Sequence, residues 1–124
     1  MTAAYGTVVM EHFRRPKNRG ALAHATASHE AYNALCGDRV RVEVDVERGA
    51  IRDIAFTANA CAVCTASASL LTERARGLSV AAANAIDDAV VIGALDTTLP
   101  SAREACALLP AQALRGALSQ LPTT

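Results

Sequence analysis

Residues 39–47 run Arg-Val-Arg-Val-Glu-Val-Asp-Val-Glu, and this alternation decides the fold. Valines alternate with charged residues, so the side chains of one β-strand separate onto an apolar face and a solvent-exposed face. Residues 47–49 end in glycine and predict a turn. Residues 51–58 predict the returning strand. We expect residues 29–34 to add a third strand, whereas residues 21–30 are small, polar and expected to be largely irregular.

Beyond residue 60 the apolar residues recur at spacings of three and four, which is typical of one face of a helix. This pattern predicts a helix from about residue 62 to residue 76, ended by Gly77. Ser79 is a suitable cap for a second helix through roughly residue 91. The residues that form the first stripe are Cys61, Cys64, Ala68, Leu71, Ala75 and Leu78.

Two further helices are expected at the ends of the chain. Residues 3–15 have an amphipathic pattern and predict a short N-terminal helix. Ser101 and Glu104 have the spacing of a capping box, which predicts the start of a helix that carries Cys106. Pro110 is expected to break that helix or to open a final one that ends near residue 119.

The predicted strands come first and most of the helices follow, which is typical of the α+β class. We therefore predict a small antiparallel three-stranded sheet covered on one face by helices. The 124 residues are enough for one ordinary core, so residues 1–124 are interpreted as a single domain.

The composition excludes several classes of function. Basic and acidic residues balance to a net charge of zero, which argues against a nucleic-acid-binding protein. No apolar run approaches the length of a membrane span, and the first five residues lack a signal-peptide pattern. We therefore expect a cytoplasmic protein that binds neither nucleic acid nor membrane. Four cysteines in such a chain favour reactive or metal-binding thiols over disulfides.

Cys36, Asp38, Cys61 and Cys106 form the most informative set of residues for function. Each lies at the edge of a predicted element, so a fold that brings these edges together would collect three sulfurs and one carboxylate. Such a set can bind a transition metal. The carboxylate oxygen is a hard ligand that matches a soft metal centre poorly, so the metal is not held permanently. The set therefore favours a protein that handles iron, zinc or sulfur temporarily.

Cys36 and Asp38 have even residue numbers, like the valines in residues 39–47. Because side chains alternate between the two faces of a strand, both are predicted to lie on the core side of the sheet. Gly37 between them allows a backbone or a ligand to come close. Gly37 also allows the pleat to change phase, and the alternative is a local Cys-Gly-Asp turn in which Asp38 caps nearby amides.

Cys61 lies where a predicted strand meets a predicted helix, and the free amides of a helix start stabilise a thiolate there. Its alternative role is that of a small buried apolar residue. Cys64 is interpreted as packed against the sheet. Cys61 and Cys64 nevertheless form a C-x-x-C motif, as in a thioredoxin-like redox centre, although no βαβ pattern surrounds it. Cys106, taken alone, would be assigned to the core.

The chain resembles the iron–sulfur cluster assembly scaffold family of the IscU, SufU and NifU N-terminal type. Residues 33–38 (Asn-Ala-Leu-Cys-Gly-Asp), Cys61 with residues 66–73, and residues 103–109 (Arg-Glu-Ala-Cys-Ala-Leu-Leu) resemble the three ligand regions of the family. Residues 5–20, with Val-Met-Glu-His-Phe and Pro-x-Asn-x-Gly, resemble its opening helix and turn.

The resemblance implies a role for each residue of the set. Cys36, Cys61 and Cys106 would be thiolate ligands and sulfur acceptors, and Asp38 would be the weaker ligand that keeps a cluster labile. A cysteine desulfurase would donate sulfur, a [2Fe–2S] cluster would be held transiently, and acceptor apo-proteins would receive it. Iron would be collected on these ligands, and zinc often occupies the same ones. Such a protein is a scaffold and not an enzyme.

Two departures from the family pattern bear on subtype and partners. Ala105 stands where the IscU type commonly has His, as in the SufU type, whereas the short stretch between Cys61 and Cys106 is closer to the IscU type. Residues 99–103 (Leu-Pro-Ser-Ala-Arg) replace Leu-Pro-Pro-Val-Lys, a substitution that does not favour docking to an Hsp70-type chaperone.

Three functions remain open on the sequence. The first is the assembly scaffold. The second is a zinc-containing protein, either a sulfur acceptor that stimulates a desulfurase or a zinc-stabilised binding module. The third is a thiol oxidoreductase that uses Cys61 and Cys64.

Overall fold

The computed structural model of the chain describes residues 5–122. Residues 1–4 lie outside the described part. The first helix, predicted over residues 3–15, begins later than predicted, because residues 5 and 6 are not helical and Gly6 is its N-cap. The elements in chain order are α1 (Thr7–Arg14), β1 (Ala27–Asn33), β2 (Asp38–Glu47), β3 (Ala50–Asn59), α2 (Ala62–Ala75), α3 (Val80–Asn84), α4 (Asp88–Ala94) and α5 (Ser101–Leu118).

The three strands form one antiparallel sheet in the order β1-β2-β3, which confirms the predicted α+β architecture. Val40, Val42 and Val44 are fully buried, while the alternating Arg39 and Arg41 are exposed on the other face. The strand β1 begins at Ala27, earlier than predicted, because residues 27–33 pair along β2 from Val44 to Asp38. The expected irregular structure over residues 27–30 is therefore wrong.

A layer of two helices, α2 and α5, covers the inner face of the sheet, and α1 packs on α2. Because α2 lies between the sheet, α1 and α5, it is buried on almost all sides. Small residues allow this close packing: alanine, serine and threonine make up most of its buried positions.

The helix α5 and the sheet approach closely at Gly116. Gly116 of α5 faces the ring of His29 on β1, and a Cβ atom at position 116 would collide with that ring. Glycine at this position therefore lets the helix pack directly on the strand.

The free edge of β3 is occupied by two segments of the chain. Phe56 on β3 exchanges backbone hydrogen bonds with the turn after α1, donating to Asn18 and accepting from Gly20. Ile51 does the same with the segment after α2, donating to Leu78 and accepting from Gly77.

The region after Gly77 differs from the predicted single helix, because it forms α3 and α4 separately. Ser79 caps α3 as predicted, with its hydroxyl accepting from the Ala82 N–H at 3.0 Å. Asp87 then starts a new helix, since its carboxylate accepts from the Val90 N–H at 2.9 Å. A strong capping residue in mid-segment favours a new start over continuation.

Two expectations about α5 are wrong. The helix is continuous through Pro110, which is fully buried, so core packing outweighs the lost N–H of the proline. The capping box is also absent, because Ser101 is already helical and the N-cap position is Pro100.

Within residues 5–122, no helix combines the length and the apolar character needed to cross a membrane.

Candidate metal and sulfur site

Cys36 lies in the tight turn between β1 and β2. Gly37 has a φ of +76° and its N–H donates to the Asn33 carbonyl at 2.7 Å. This left-handed residue lies between Cys36 and Asp38, and Cys36 is exposed in the turn. The Cys36 sulfur nevertheless lies against Cys106 of α5, the helix that covers the inner face of the sheet. Asp38, at the start of β2, is buried as predicted.

Cys106 approaches the same turn from α5. Its side chain is 1% exposed, and its Sγ lies 3.4 Å from the Sγ of Cys36. A carboxylate oxygen of Asp38 and these two sulfurs all lie within 4.8 Å of one another. Two sulfurs on one tetrahedral zinc ion would be about 3.8 Å apart, so this group has the spacing to hold a metal ion.

The two oxygens of Asp38 are in different situations. Oδ1 accepts a hydrogen bond from the backbone N–H of Cys61 at 3.3 Å. Oδ2 is buried and has no hydrogen-bond partner within residues 5–122. A buried carboxylate oxygen without a donor is costly, so Oδ2 is a suitable ligand for a cation.

Cys61 borders this group without belonging to it. As predicted, it lies where β3 meets a helix, at the N-cap of α2, and its side chain is half-buried. Its N–H contacts Asp38, but its sulfur is not among the atoms that lie within 4.8 Å of one another. The structure therefore brings together Cys36, Asp38 and Cys106 and leaves Cys61 at the rim.

Cys64 is fully buried among the residues that pack on the sheet. Burial raises the pKa of its thiol far above the ordinary range, and the nearby charges of Asp38 and Cys61 act in the same direction. Because Cys64 is 0% exposed, a substrate cannot reach the second cysteine of the C-x-x-C motif.

Cys106 is also a weak acid in the metal-free protein. Burial raises its pKa to about 12, helped by its hydrogen bond to Cys36 and by the charges of Cys61 and Asp38. A bound cation would reverse this balance by displacing the proton. Loading of this site with metal is therefore expected to release protons.

Arg103 is a site residue that the sequence analysis missed. It lies one helical turn before Cys106 on α5 and lines the same cleft. The charge of Cys61 raises the pKa of its guanidinium, and it remains positively charged. The sequence did contain a signal for it, because a residue three positions before Cys106 lies on the same face of a helix.

The site opens onto a cleft of about 520 Å³ between the β1–β2 turn and the start of α5. Leu35, beside Cys36, is 98% exposed. Ala105 lines the cleft at the position before Cys106, and the three-residue group contains no histidine. His12 instead lies with its Nδ1 2.7 Å from the hydroxyl of Ser69, away from this site.

Residues 4–124 match the NifU-like N-terminal domain family. The chain belongs to this family. The resemblance found in the ligand regions of the sequence is thereby confirmed. With it, Cys36, Asp38, Cys61 and Cys106 become the residues to test in this member.

Three curated relatives show how the match extends. The iron–sulfur cluster assembly scaffold protein IscU of Buchnera aphidicola subsp. Acyrthosiphon pisum is 32% identical over 120 residues, covering 94% of this chain and 93% of that protein. The bifunctional protein NifU/MnmA of Rubrobacter xylanophilus is 36% identical over 118 residues, 94% of this chain but only 24% of that longer protein. The zinc-dependent sulfurtransferase SufU of Bacillus subtilis is 30% identical over 76 residues, 61% of this chain and 51% of that protein.

The fold is also found among solved structures. The crystal structure of the SufU protein FiSufU from Fervidobacterium islandicum AW-1 matches with a TM-score of 0.80 and 27% identity. The match covers 93% of this chain and 96% of that chain, so the order and packing of the elements extend over nearly the whole molecule.

Proposed function

We propose that this protein is a scaffold for iron–sulfur cluster assembly. The observation that carries the proposal is the group of two sulfurs and one buried carboxylate oxygen, all within 4.8 Å of one another, at the open end of the fold. The curated name of the IscU relative, which this chain matches over nearly the full length of both proteins, supports the same role.

In this proposal the iron and the sulfur are cargo, and the chain supplies their ligands. Cys36, Cys61 and Cys106 act as thiolate ligands and sulfur acceptors, and Asp38 acts as the fourth, weaker ligand. Cys61 is included because of the family resemblance and because its backbone N–H bonds to Asp38. The positive charge of Arg103 favours thiolates and other anions at the site.

A cysteine desulfurase is the proposed sulfur donor. Cys36 is exposed at the tip of the β1–β2 turn, and Leu35 beside it offers an exposed apolar side chain to a partner. Acceptor apo-proteins would take the finished [2Fe–2S] cluster. We place this work in the cytoplasm, because a protein that works through free thiols requires a reducing compartment.

The test is anaerobic reconstitution with ferrous iron, cysteine and a desulfurase. The wild-type protein should develop the visible charge-transfer absorption of a [2Fe–2S] cluster. Cys36→Ser, Cys61→Ser and Cys106→Ser should each abolish it, and Cys64→Ala should keep it as the matched cysteine control. Colour that depends on Cys64 but not on Cys36 or Cys106 would contradict the proposal.

Asp38 gives a further test of this function. A carboxylate is a poor match to a soft iron–sulfur centre, so Asp38→Ala should lengthen the lifetime of the bound cluster. The decay of the visible spectrum measures it, with Glu47→Gln as a control carboxylate on the exposed surface. Equal or faster decay in Asp38→Ala would refute this role of Asp38.

A second candidate function is that of a zinc-containing sulfur acceptor. The spacing of Cys36, Asp38 and Cys106 suits tetrahedral zinc, and the SufU relative is named a zinc-dependent sulfurtransferase. Zinc that remains bound during desulfurase turnover, with faster turnover and no cluster formed, would favour this candidate over the scaffold. Metal analysis of freshly isolated protein separates the two.

The oxidoreductase hypothesis is the least supported of the three. It requires Cys64 to exchange with a substrate disulfide, whereas Cys64 is fully buried among the residues that pack on the sheet. We propose no catalytic turnover for the C-x-x-C motif.

A further inference from the structure

The sulfurs of Cys36 and Cys106 lie unusually close together. Their separation of 3.4 Å lies within hydrogen-bonding distance for thiols, and a disulfide would shorten it to about 2.05 Å. Both thiols are free, and Cys36 sits in a turn whose exposed side is open to solvent. The pair therefore has the arrangement needed for thiol–disulfide chemistry.

The two members of the pair differ in accessibility. Cys36 is exposed and can meet a sulfur donor, whereas Cys106 is 1% exposed and reaches Cys36 from the interior. A persulfide formed on Cys36 would therefore carry its outer sulfur on the open side, with the sulfur of Cys106 on the opposite side. Displacement at sulfur proceeds in line, with the leaving group opposite the attacking thiol.

We propose that Cys106 releases the sulfur carried by Cys36 as hydrogen sulfide. This inference rests on the sulfur-accepting role proposed above. The Cys106 sulfur bonds to the Cys36 sulfur, and the bond between Cys36 and the outer sulfur breaks. The electron pair of that bond leaves with the outer sulfur, which takes up the proton of Cys106.

The step is balanced without an external reductant. One persulfide and one thiol become one disulfide and one hydrogen sulfide, so the sulfane sulfur is reduced to sulfide and the two cysteine sulfurs are oxidised. The product is a Cys36–Cys106 disulfide, which a dithiol reductant must reduce before a second round. In the disulfide form neither sulfur is free to bind a metal ion.

The other two cysteines are unsuited to this step. Cys64 is fully buried, and its sulfur is not among the atoms that lie within 4.8 Å of one another. Cys61 lies at the rim, and its sulfur is outside the close group that contains Cys36 and Cys106. The geometry therefore assigns the release step to Cys106 alone.

The experiment loads the metal-free protein, residues 1–124, with sulfur under anaerobic conditions, using cysteine and a desulfurase, and then removes donor and excess thiol. Sulfide is measured over time, and peptide mapping by mass spectrometry locates persulfides and disulfides. The wild-type protein should release one sulfide for each persulfide lost and accumulate the Cys36–Cys106 disulfide. Cys106→Ser should hold the persulfide on Cys36 and release sulfide at least about tenfold more slowly, because the attacking thiol is no longer adjacent.

Cys64→Ala is the matched control and should release sulfide like the wild-type protein. The disulfide map of the wild-type protein keeps the test decisive even if Cys106→Ser folds poorly. A persulfide that forms on Cys36 but persists in the wild-type protein overturns the inference while leaving the proposed function intact. Sulfide release with a disulfide to Cys61, or transfer of the sulfane sulfur to Cys106, also overturns it. Failure of every cysteine to accept sulfur contradicts the proposed function itself.

Discussion

At the scale of single residues, the four cysteines have separate environments despite their similar chemistry. Cys36 is exposed, Cys61 is half-buried, and Cys64 and Cys106 are buried. Burial disfavours the thiolate, so the pKa values of Cys64 and Cys106 are both raised. The exposed cysteine is thus the accessible one, and Cys64 serves packing.

Cys64 should make the stability of the protein depend on alkaline pH. Its pKa is raised in the folded state above the value of about 8.5 expected for an unfolded chain. Above that pH the unfolded state loses a proton that the folded state keeps. The free energy of unfolding therefore falls by up to about 1.4 kcal/mol per pH unit for this group, and it is unaffected at lower pH.

The measurement is urea unfolding of metal-free, reduced protein between about pH 8 and pH 10, where free thiols titrate. Cys64→Ala is the comparison, because it removes this thiol and retains the raised pKa of Cys106. The variant should lose stability less steeply with rising pH. Identical slopes for the two proteins would show that Cys64 does not remain protonated in the fold.

The directions of single side chains were only partly predictable from the sequence. Asp38 follows the alternation of β2, so its burial could be predicted from the pattern. The exposure of Cys36 could not be predicted in the same way, because the presence of a glycine at position 37 does not by itself fix the sign of φ in the turn. The contact between Cys36 and Cys106 depends on how α5 packs, which no local pattern contains.

At the scale of elements, the N-terminal segment is fastened to α2 through one buried serine. Ser69 is fully buried, and its hydroxyl accepts from the Lys17 N–H at 2.7 Å and contacts His12 Nδ1 at 2.7 Å. Asn18 then contacts Thr72 and Arg76 of the same helix region. The turn after α1 is thereby held against both α2 and β3.

Ser69→Ala should loosen this segment. The change leaves the Lys17 N–H without its partner, and the expected loss is about 1–3 kcal/mol in the free energy of unfolding. Trypsin should also cleave faster after Arg14 and Lys17 in the native protein. Ser119→Ala, which removes an exposed hydroxyl on the C-cap of α5, is the control. Unchanged cleavage together with unchanged stability would exclude a fastening role for Ser69.

The elements themselves were predicted well where one signal dominated. The alternation of residues 39–47 and the apolar spacing after Cys61 both gave the right element types, as β2 and α2 show. The failures came where local and tertiary preferences compete. Pro110 disfavours a helix locally, yet its ring is fully buried within α5, and that packing keeps the helix continuous.

At the scale of the whole molecule, the site exists because two layers approach closely. Cys36 and Asp38 lie in and directly after the β1–β2 turn, and Cys106 lies on α5. The distances between their side chains therefore depend on the spacing between α5 and the sheet. Gly116 opposite His29 is a place where α5 and the sheet approach closely.

A double-mutant cycle at Gly116 and His29 tests this arrangement. Gly116→Ala gains helix propensity, worth up to about 1 kcal/mol, but its methyl group collides with the His29 ring. In a His29→Ala background the collision disappears, so the same change should become more favourable. We expect a coupling of at least about 0.5 kcal/mol from denaturant unfolding. Independent, additive effects would mean that the ring moves aside freely and does not limit the spacing.

The general architecture was predictable because strands precede helices in the chain and the sheet has one dry face. The three-stranded sheet with its helical layer confirms that prediction. The missed contribution of Arg103 belongs to the same scale, because it depends on the cleft between α5 and the β1–β2 turn.

The turn after α1 and the segment after α2 also have a consequence for behaviour at high concentration. They form hydrogen bonds with the backbone N–H and C=O groups of Phe56 and Ile51 on β3, and thus occupy positions where another chain could add a strand. Intermolecular β-sheet growth along β3 would first require one of these segments to detach. Conditions that release the N-terminal segment should therefore promote aggregation before they unfold the sheet.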